Sequence, residues 1–212
     1  MSVASLGRAE ESVAPLLSQL IRIDSSNGLA PERPAAEWVA TRLAECGIEA
    51  RIVEPEPGRA SVLARVSGTD PALAPLLVHA HLDTVPADPD EWSVHPFSGE
   101  IADDYVWGRG AVDMKHMVAM LLALLRAWRD TGQRPRRDLL LAFVADEEAG
   151  GHAGSRYLVA SHREFFDGCT TAIGEVGGFS ITVEQAARIY LVQTAERGFD
   201  WLTLTAEGTG GH

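Results

Sequence analysis

The sequence predicts an α/β fold, a sheet covered by helices on both faces, and three observations lead there. Short apolar runs alternate with segments of helical periodicity. The runs at 76–80 and 139–145 are apolar almost without interruption, as strands buried on both faces are. Polar and acidic residues follow those runs directly, and in open α/β sheets ligands bind beyond the carboxyl ends of strands.

In chain order, residues 9–23 place Val13, Leu16, Leu17, Leu20 and Ile21 at helical spacing, and the Asp-Ser-Ser-Asn-Gly segment 24–28 ends that helix. Pro34 opens a second amphipathic helix through Trp38, Val39, Leu43 and Cys46, closed by Gly47. Strands are expected at 48–53 and 61–66 around a turn with Pro55, Pro57 and Gly58, and then at 76–80. A Pro/Asp/Gly-rich loop carrying Trp92 and Phe97 leads to a long helix over 113–130. That helix is apolar almost all round (Met117, Val118, Leu121, Leu122, Leu124, Leu125, Trp128) and is expected to be deeply buried. The strand at 139–145, a Gly-rich turn, a helix over 155–162 and a strand at 171–173 follow. From Arg188 the pattern changes to alternating strands at 189–193 and 199–206.

With 212 residues, 46% hydrophobic and 23% charged, the chain suffices for one domain with a sizeable core, or one and a piece. A formal charge of −12 repels phosphate backbones and anionic surfaces, so neither nucleic acid nor membrane is expected as a partner. Cys46 and Cys169 form no CxxC pair, which suggests a reducing, cytoplasmic setting. The polar first 13 residues lack an apolar leader core, and the longest apolar run, 117–125, is too short to span a bilayer. Lys115 is the only lysine among 18 basic residues.

The chemistry gathers at strand ends. The run at 76–80 delivers His81 and Asp83, the run at 139–145 delivers Asp146, Glu147 and Glu148, and the strand at 171–173 leads to Glu175. Asp113 joins them from the Gly108-Arg-Gly-Ala-Val-Asp113 turn. Any one of these acids alone reads as a helix cap or a solvated loop charge. Together in one crevice they repel and raise one another's pKa, a conflict that one or two divalent cations resolve. One imidazole with several carboxylates suits zinc, cobalt or manganese better than soft copper. Asp83 stands two residues past His81, where its carboxylate is expected to hold the other ring N–H. His79-Ala-His81-Leu-Asp83 begins like the HxHxDH signature of metallo-β-lactamase-like hydrolases, but Thr84 stands where the next histidine belongs. His79 is therefore read as a buried strand or wall residue.

Four stretches in order resemble one family: His81-Leu-Asp-Thr-Val-Pro86, Gly108-Arg-Gly-Ala-Val-Asp-Met-Lys115, Ala145-Asp-Glu-Glu148 followed by Gly150 and Gly151, and Gly174-Glu175. It is the family of acetylornithine deacetylase, succinyl-diaminopimelate desuccinylase, aminoacylase, glutamate carboxypeptidase and related dipeptidases, co-catalytic di-zinc hydrolases. Lys115 falls on the lysine that commonly closes the second stretch. The resemblance implies a zinc-exopeptidase-like α/β fold, a mixed sheet sandwiched by helices, joined to the first strands of an α+β lid or dimerisation domain. It implies metal ligands His81, Asp113, Glu148 and Glu175, with Asp113 bridging two zinc ions per subunit, or cobalt or manganese in their place. His81 and Glu175 would hold one ion and Glu148 the other. Asp83, which orients His81, and Glu147, the general acid/base, are the implied catalytic pair. The implied substrate is an N-acyl amino acid or small peptide, and the implied assembly is a homodimer in which His212 reaches across to the partner's site.

Members of that family run to about twice this length, and the remaining histidine ligand follows the inserted domain. Residues 1–194 are thus expected to be the N-terminal part of the catalytic domain and 195–212 the start of a truncated lid. The expected function is metal-dependent amide hydrolysis of the deacylase, carboxypeptidase or dipeptidase type. The alternative is an inactive metal-binding fragment lacking the last histidine.

Overall fold

The computed structural model describes residues 3–175, 180–183, 187–190, 195, 198 and 202–208. Two helices open the chain. Helix α1 (Val3–Ile21) starts earlier than its apolar stripe and buries Leu16, Leu17, Leu20 and Ile21. Helix α2 (Arg33–Glu45) begins with Pro34 in its first turn, where a missing N–H costs nothing, and buries Ala35, Ala36, Val39 and Leu43. Strands β1 (Ala50–Glu56) and β2 (Arg59–Val66) form an antiparallel hairpin with a register shift between Val53 and Glu56. The expected turn at 55–58 is shorter than the prolines suggest, because β1 is an edge strand and Pro55 is tolerated there.

Strand β3 (Leu76–His81) is followed by a small hairpin, β4 (Glu100–Ala102) and β5 (Tyr105–Trp107), which the sequence pattern did not reveal. Its two-residue turn holds Asp103 and Asp104 at φ 52° and 63°, a left-handed pair that aspartate tolerates. Helix α3 (Lys115–Thr131) starts two residues after Asp113 and ends at left-handed Gly132. It is buried along most of its length, with Met120 on its exposed side. Strand β6 (Leu139–Val144) is buried at all six positions, and helix α4 (Ser155–Ser161) and strand β7 (Thr171–Ile173) follow.

The sheet order is β1-β2-β6-β3-β7. β2 runs antiparallel to both β1 and β6, while β3 lies parallel to both β6 and β7. The fold is the expected α/β arrangement, with a mixed sheet. One face buries Val62, Ala64, Leu141 and Phe143 beneath α1, α2 and α3. The other packs Val53, Leu63, Ala142 and Val144 against Leu158 of α4 and the half-buried Phe165 and Phe166. Alternate residues of β6 thus enter different cores, which is why its sequence is uninterruptedly apolar.

The chain divides into two compact units, Met1–Glu175 and Val176–His212. In the second, strands β8 (Ser180–Val183) and β9 (Ala187–Tyr190) pair antiparallel. The strand expected at 189–193 thus starts at 187, and its residues 191–193 lie outside the described residues, as do 199–201. Residues 202–206, expected to be strand, carry no regular structure. Leu202 and Leu204 alternate as in a strand but are 85% and 96% exposed, and no described strand pairs with them. Alternation without a partner ladder does not make a strand. Among the described residues no helix is long and apolar enough to cross a membrane.

Candidate metal centre

Parallel pairing brings the charged residues together. His81, the last residue of β3, is in register with Val144, the last of β6, so both chains leave the sheet at one level. On the other side of β3, β7 ends at Ile173 and passes through Gly174 to Glu175. A Cβ at position 174 would collide with the His79 ring, so glycine lets the chain run close against that wall. His79 is half-buried.

The His81 side chain is 2% exposed, and its Nδ1 lies 2.8 Å from the main-chain oxygen of Asp83. A carbonyl only accepts, so Nδ1 carries the proton and Nε2 is left to take up a proton or a metal. Nε2 stands 2.8 Å from Asp113 Oδ1, 3.7 Å from Glu175 Oε2 and 3.9 Å from Glu147 Oε2. Burial alone would push the His81 imidazole down, but Asp83, its carbonyl, Glu147 and Asp113 outweigh that and hold it above the usual histidine value.

Asp83 orients the ring through its main chain rather than through the expected carboxylate, whose Oδ1 is 3.6 Å from Nδ1. The carboxylate is fully buried and serves the neighbouring loop. Its Oδ1 accepts the Glu147 N–H at 3.1 Å, and its Oδ2 accepts the Glu148 N–H at 3.0 Å and an Asn27 Nδ2–H at 2.8 Å.

After β6 the chain turns through Asp146 at φ 62°, a left-handed conformation costing about 1 kcal/mol for a residue other than glycine. The Asp146 carboxylate accepts the Ala153 N–H at 3.0 Å and its main-chain oxygen accepts the Gly151 N–H at 2.6 Å, so it braces the loop. Glu147, with its side chain 51% exposed, lies at the rim with only the 3.9 Å approach to His81 Nε2. The Glu148 carboxyl is raised above the ordinary range by burial and by the charges of Asp113, Glu147 and Asp83.

Asp113 is 59% exposed and follows a loop pinned by its successors. Met114 and Lys115 are buried, the Lys115 N–H bonds the Gly110 oxygen at 2.9 Å, and the Asp113–Met114 peptide is cis. Lys115 Nζ donates to the main-chain oxygens of Leu20 (3.2 Å) and Ile23 (2.7 Å), tying this loop to the end of α1. Burial lowers the Lys115 ammonium to about 8 against the pull of Asp24 and Asp83. Glu175 is pushed up to about 7 by burial and then by its hydrogen bond to Asp113 and that residue's charge.

The donor atoms of His81, Asp113 and Glu175 lie within 4.8 Å of one another. One imidazole nitrogen facing two carboxylates that resist joint ionisation is a donor set fitted to a divalent cation. His212 lies outside the described residues. Sequence reasoning missed Asn27, Arg59 and Glu32, whose side chains support Asp83. Within the helix-ending segment 24–28, Asn27 carries only a turn signal.

An imidazole–carboxylate donor set at the carboxyl edge of a mixed sheet, with helices on both faces, defines a metallopeptidase-like domain. The chain belongs to peptidase family M20/M25/M40, whose profile matches residues 77–202. It is 36% identical over 163 residues to an N-fatty-acyl-amino acid synthase/hydrolase of Xenopus tropicalis, covering 73% of this chain and 31% of that protein. It is 31% identical over 212 residues to aminoacylase-1 of Sus scrofa, covering 99% and 51%. The chain therefore spans about a third of the length of the first relative and about half of the second. The fold resembles human carnosine dipeptidase 1, with TM-score 0.67, 24% identity and coverage of 81% of this chain and 39% of that one. It also resembles an M20 family metallo-carboxypeptidase from Sulfolobus solfataricus, with TM-score 0.66, 23% identity and coverage of 75% and 36%.

Proposed function

We propose that this chain supplies most of the metal-binding site of a hydrolase that cleaves the amide bond of an N-acyl amino acid or small peptide. The observation that carries the reading is the convergence of His81, Asp113 and Glu175 within 4.8 Å, with the unbraced Glu147 carboxylate beside them. Two divalent ions per subunit, zinc or else cobalt or manganese, fit the donor set. His81 and Glu175 would hold one, Glu148 the other, and Asp113 would lie between them. Bound there, the ions supply Lewis acidity and lower the pKa of water toward neutrality.

The remaining work belongs to the protein. Glu147 accepts a proton from the attacking water at its carboxylate and returns it to the departing amine nitrogen. Its neighbour Glu148 would be engaged as a ligand, so the two adjacent glutamates would do different work. The main-chain oxygen of Asp83 keeps the His81 proton on Nδ1 and so keeps Nε2 facing the site. The family resemblance supports a homodimer in which residues 195–212 open a lid domain and His212 reaches the partner's site, and the two cysteines without CxxC spacing support a cytoplasmic setting.

The test is metal analysis and a hydrolysis screen of N-acyl amino acids and dipeptides on the full-length protein. Two divalent ions per subunit and release of a free amino acid are expected. Glu147→Ala should cut kcat at least about 100-fold with metal content unchanged. Metal uptake without hydrolysis of any of these substrates would replace this reading with that of a metal-binding protein without catalysis.

A further inference from the structure

The Asp83 carboxylate is a fully buried charge, and each hydrogen bond it accepts is donated by an amide. Two are the main-chain amides of Glu147 and Glu148, and the third is the Asn27 side chain. Such a carboxylate holds one orientation only while its oxygens are satisfied together.

Asn27 is itself held from three directions. Its main-chain N–H bonds the Thr84 oxygen at 2.8 Å, next to Asp83. Its Oδ1 accepts from Arg59 Nη2 at 3.2 Å, which turns Nδ2 toward Asp83 and settles the orientation of the amide. Arg59 is in turn ion-paired with Glu32, a fully buried carboxylate at the start of α2. A continuous polar chain therefore runs Glu32, Arg59, Asn27, Asp83, and ends on the amides that carry Glu147 and Glu148.

The geometry points to Asn27 as a positioning residue for the hydrolytic turn. By converting the donor of Arg59 into an N–H aimed at Asp83, it sets the angle of the carboxylate that anchors Glu147 and Glu148. The inference rests on the function proposed above for those glutamates, but its first readout needs neither metal nor substrate.

The deciding variant is Asn27→Asp in the full-length protein. It preserves size and the acceptor for Arg59 but replaces the donor facing Asp83 with an oxygen. In the metal-free protein, amide hydrogen exchange at Glu147 and Glu148 should accelerate about tenfold while exchange in β6 stays as in the wild type. In the metal-saturated protein, kcat should fall about 10- to 100-fold with KM within about twofold, the usual scale for a supporting partner one step from the ligands. Asn27→Leu should behave alike. A residue that merely filled space or anchored Arg59 would leave Asn27→Asp at wild-type exchange and kcat, and that result overturns the proposal. Absence of hydrolysis by the wild type, with exchange still accelerated in the variant, would sink the proposed activity and leave the positioning role standing.

Discussion

The side of the site built on His81, Asp83 and the Glu147–Glu148 turn and the side built on Asp113 and Glu175 keep their charges in place by opposite means. On the first side the anchoring groups, Asp83 and His81, are buried and hydrogen-bonded. Asp83 accepts three amide hydrogen bonds, and the His81 ring is fixed by a main-chain oxygen. On the second side the carboxyls of Asp113 and Glu175 are partly exposed and hydrogen-bonded to each other, so one must stay protonated for the contact to hold. The protein preorganises one side with its own backbone, while the other, in the function proposed above, would be completed by a cation.

The largest expected effect comes from breaking the organised side. Asp83→Ala strips the acceptor from two main-chain amides and Asn27, and should cost about 3 kcal/mol of folding free energy in urea titrations. Equal stability of variant and wild type would mean that the turn holds itself.

Breaking the crowded side should act in the reverse sense. Glu175→Gln removes a ligand and should weaken divalent-metal binding at least about tenfold by calorimetry, yet should not destabilise the metal-free protein. The sign follows from the raised carboxyl. Its folded value of about 7 exceeds the ordinary 4.5, so the folded state holds the proton longer than the unfolded state. Wild-type metal-free stability should therefore fall as pH rises from about 5 to about 8. Urea midpoints across that range in chelator should fall more steeply in the wild type than in Glu175→Gln, where only the raised His81 and Glu148 still contribute.

The smallest effect concerns the seam between the two sides, where Lys115 ties the Asp113 loop to α1. Lys115→Met leaves two carbonyls without a donor but also removes a buried charge, for a net loss of about 1 kcal/mol at pH 7. With its ammonium lowered to about 8, the folded state binds fewer protons than the unfolded state between about pH 8 and 10.5. Wild-type stability should gain from this group as pH rises through that window, and the methionine variant should lack the gain.

What could be read in the sequence divides along similar lines. β3, β6 and α3 were legible because burial writes itself into continuous or helical apolar patterns. His81, Asp113 and Glu175 were legible because their residue types follow strand ends and a glycine-rich turn. The β4–β5 hairpin was hidden, since three-residue strands carry almost no periodicity and an Asp-Asp turn is a weaker signal than Asn-Gly. The support of Asp83 was hidden for a different reason. Asn27 lies 56 residues from Asp83 in sequence and 32 from Arg59, so the link exists only after folding. Nor can a sequence say that Asp83 uses its carbonyl for one neighbour and its carboxylate for others.

The turn after β6 gives three consecutive acids three settings: the Asp146 carboxylate bonds into the loop, Glu147 lies exposed near His81, and Glu148 is half-buried with its main-chain N–H on Asp83. Which acid goes where is decided by counting residues from the end of a rigid strand. The segment is in effect a ruler: exchanging a side chain removes one function, whereas inserting or deleting a single residue reassigns all three. An engineer reshaping this site has freedom at exposed positions of the neighbouring loops such as Leu29 and Val112, and none in the length of the chain between Val144 and Ala153.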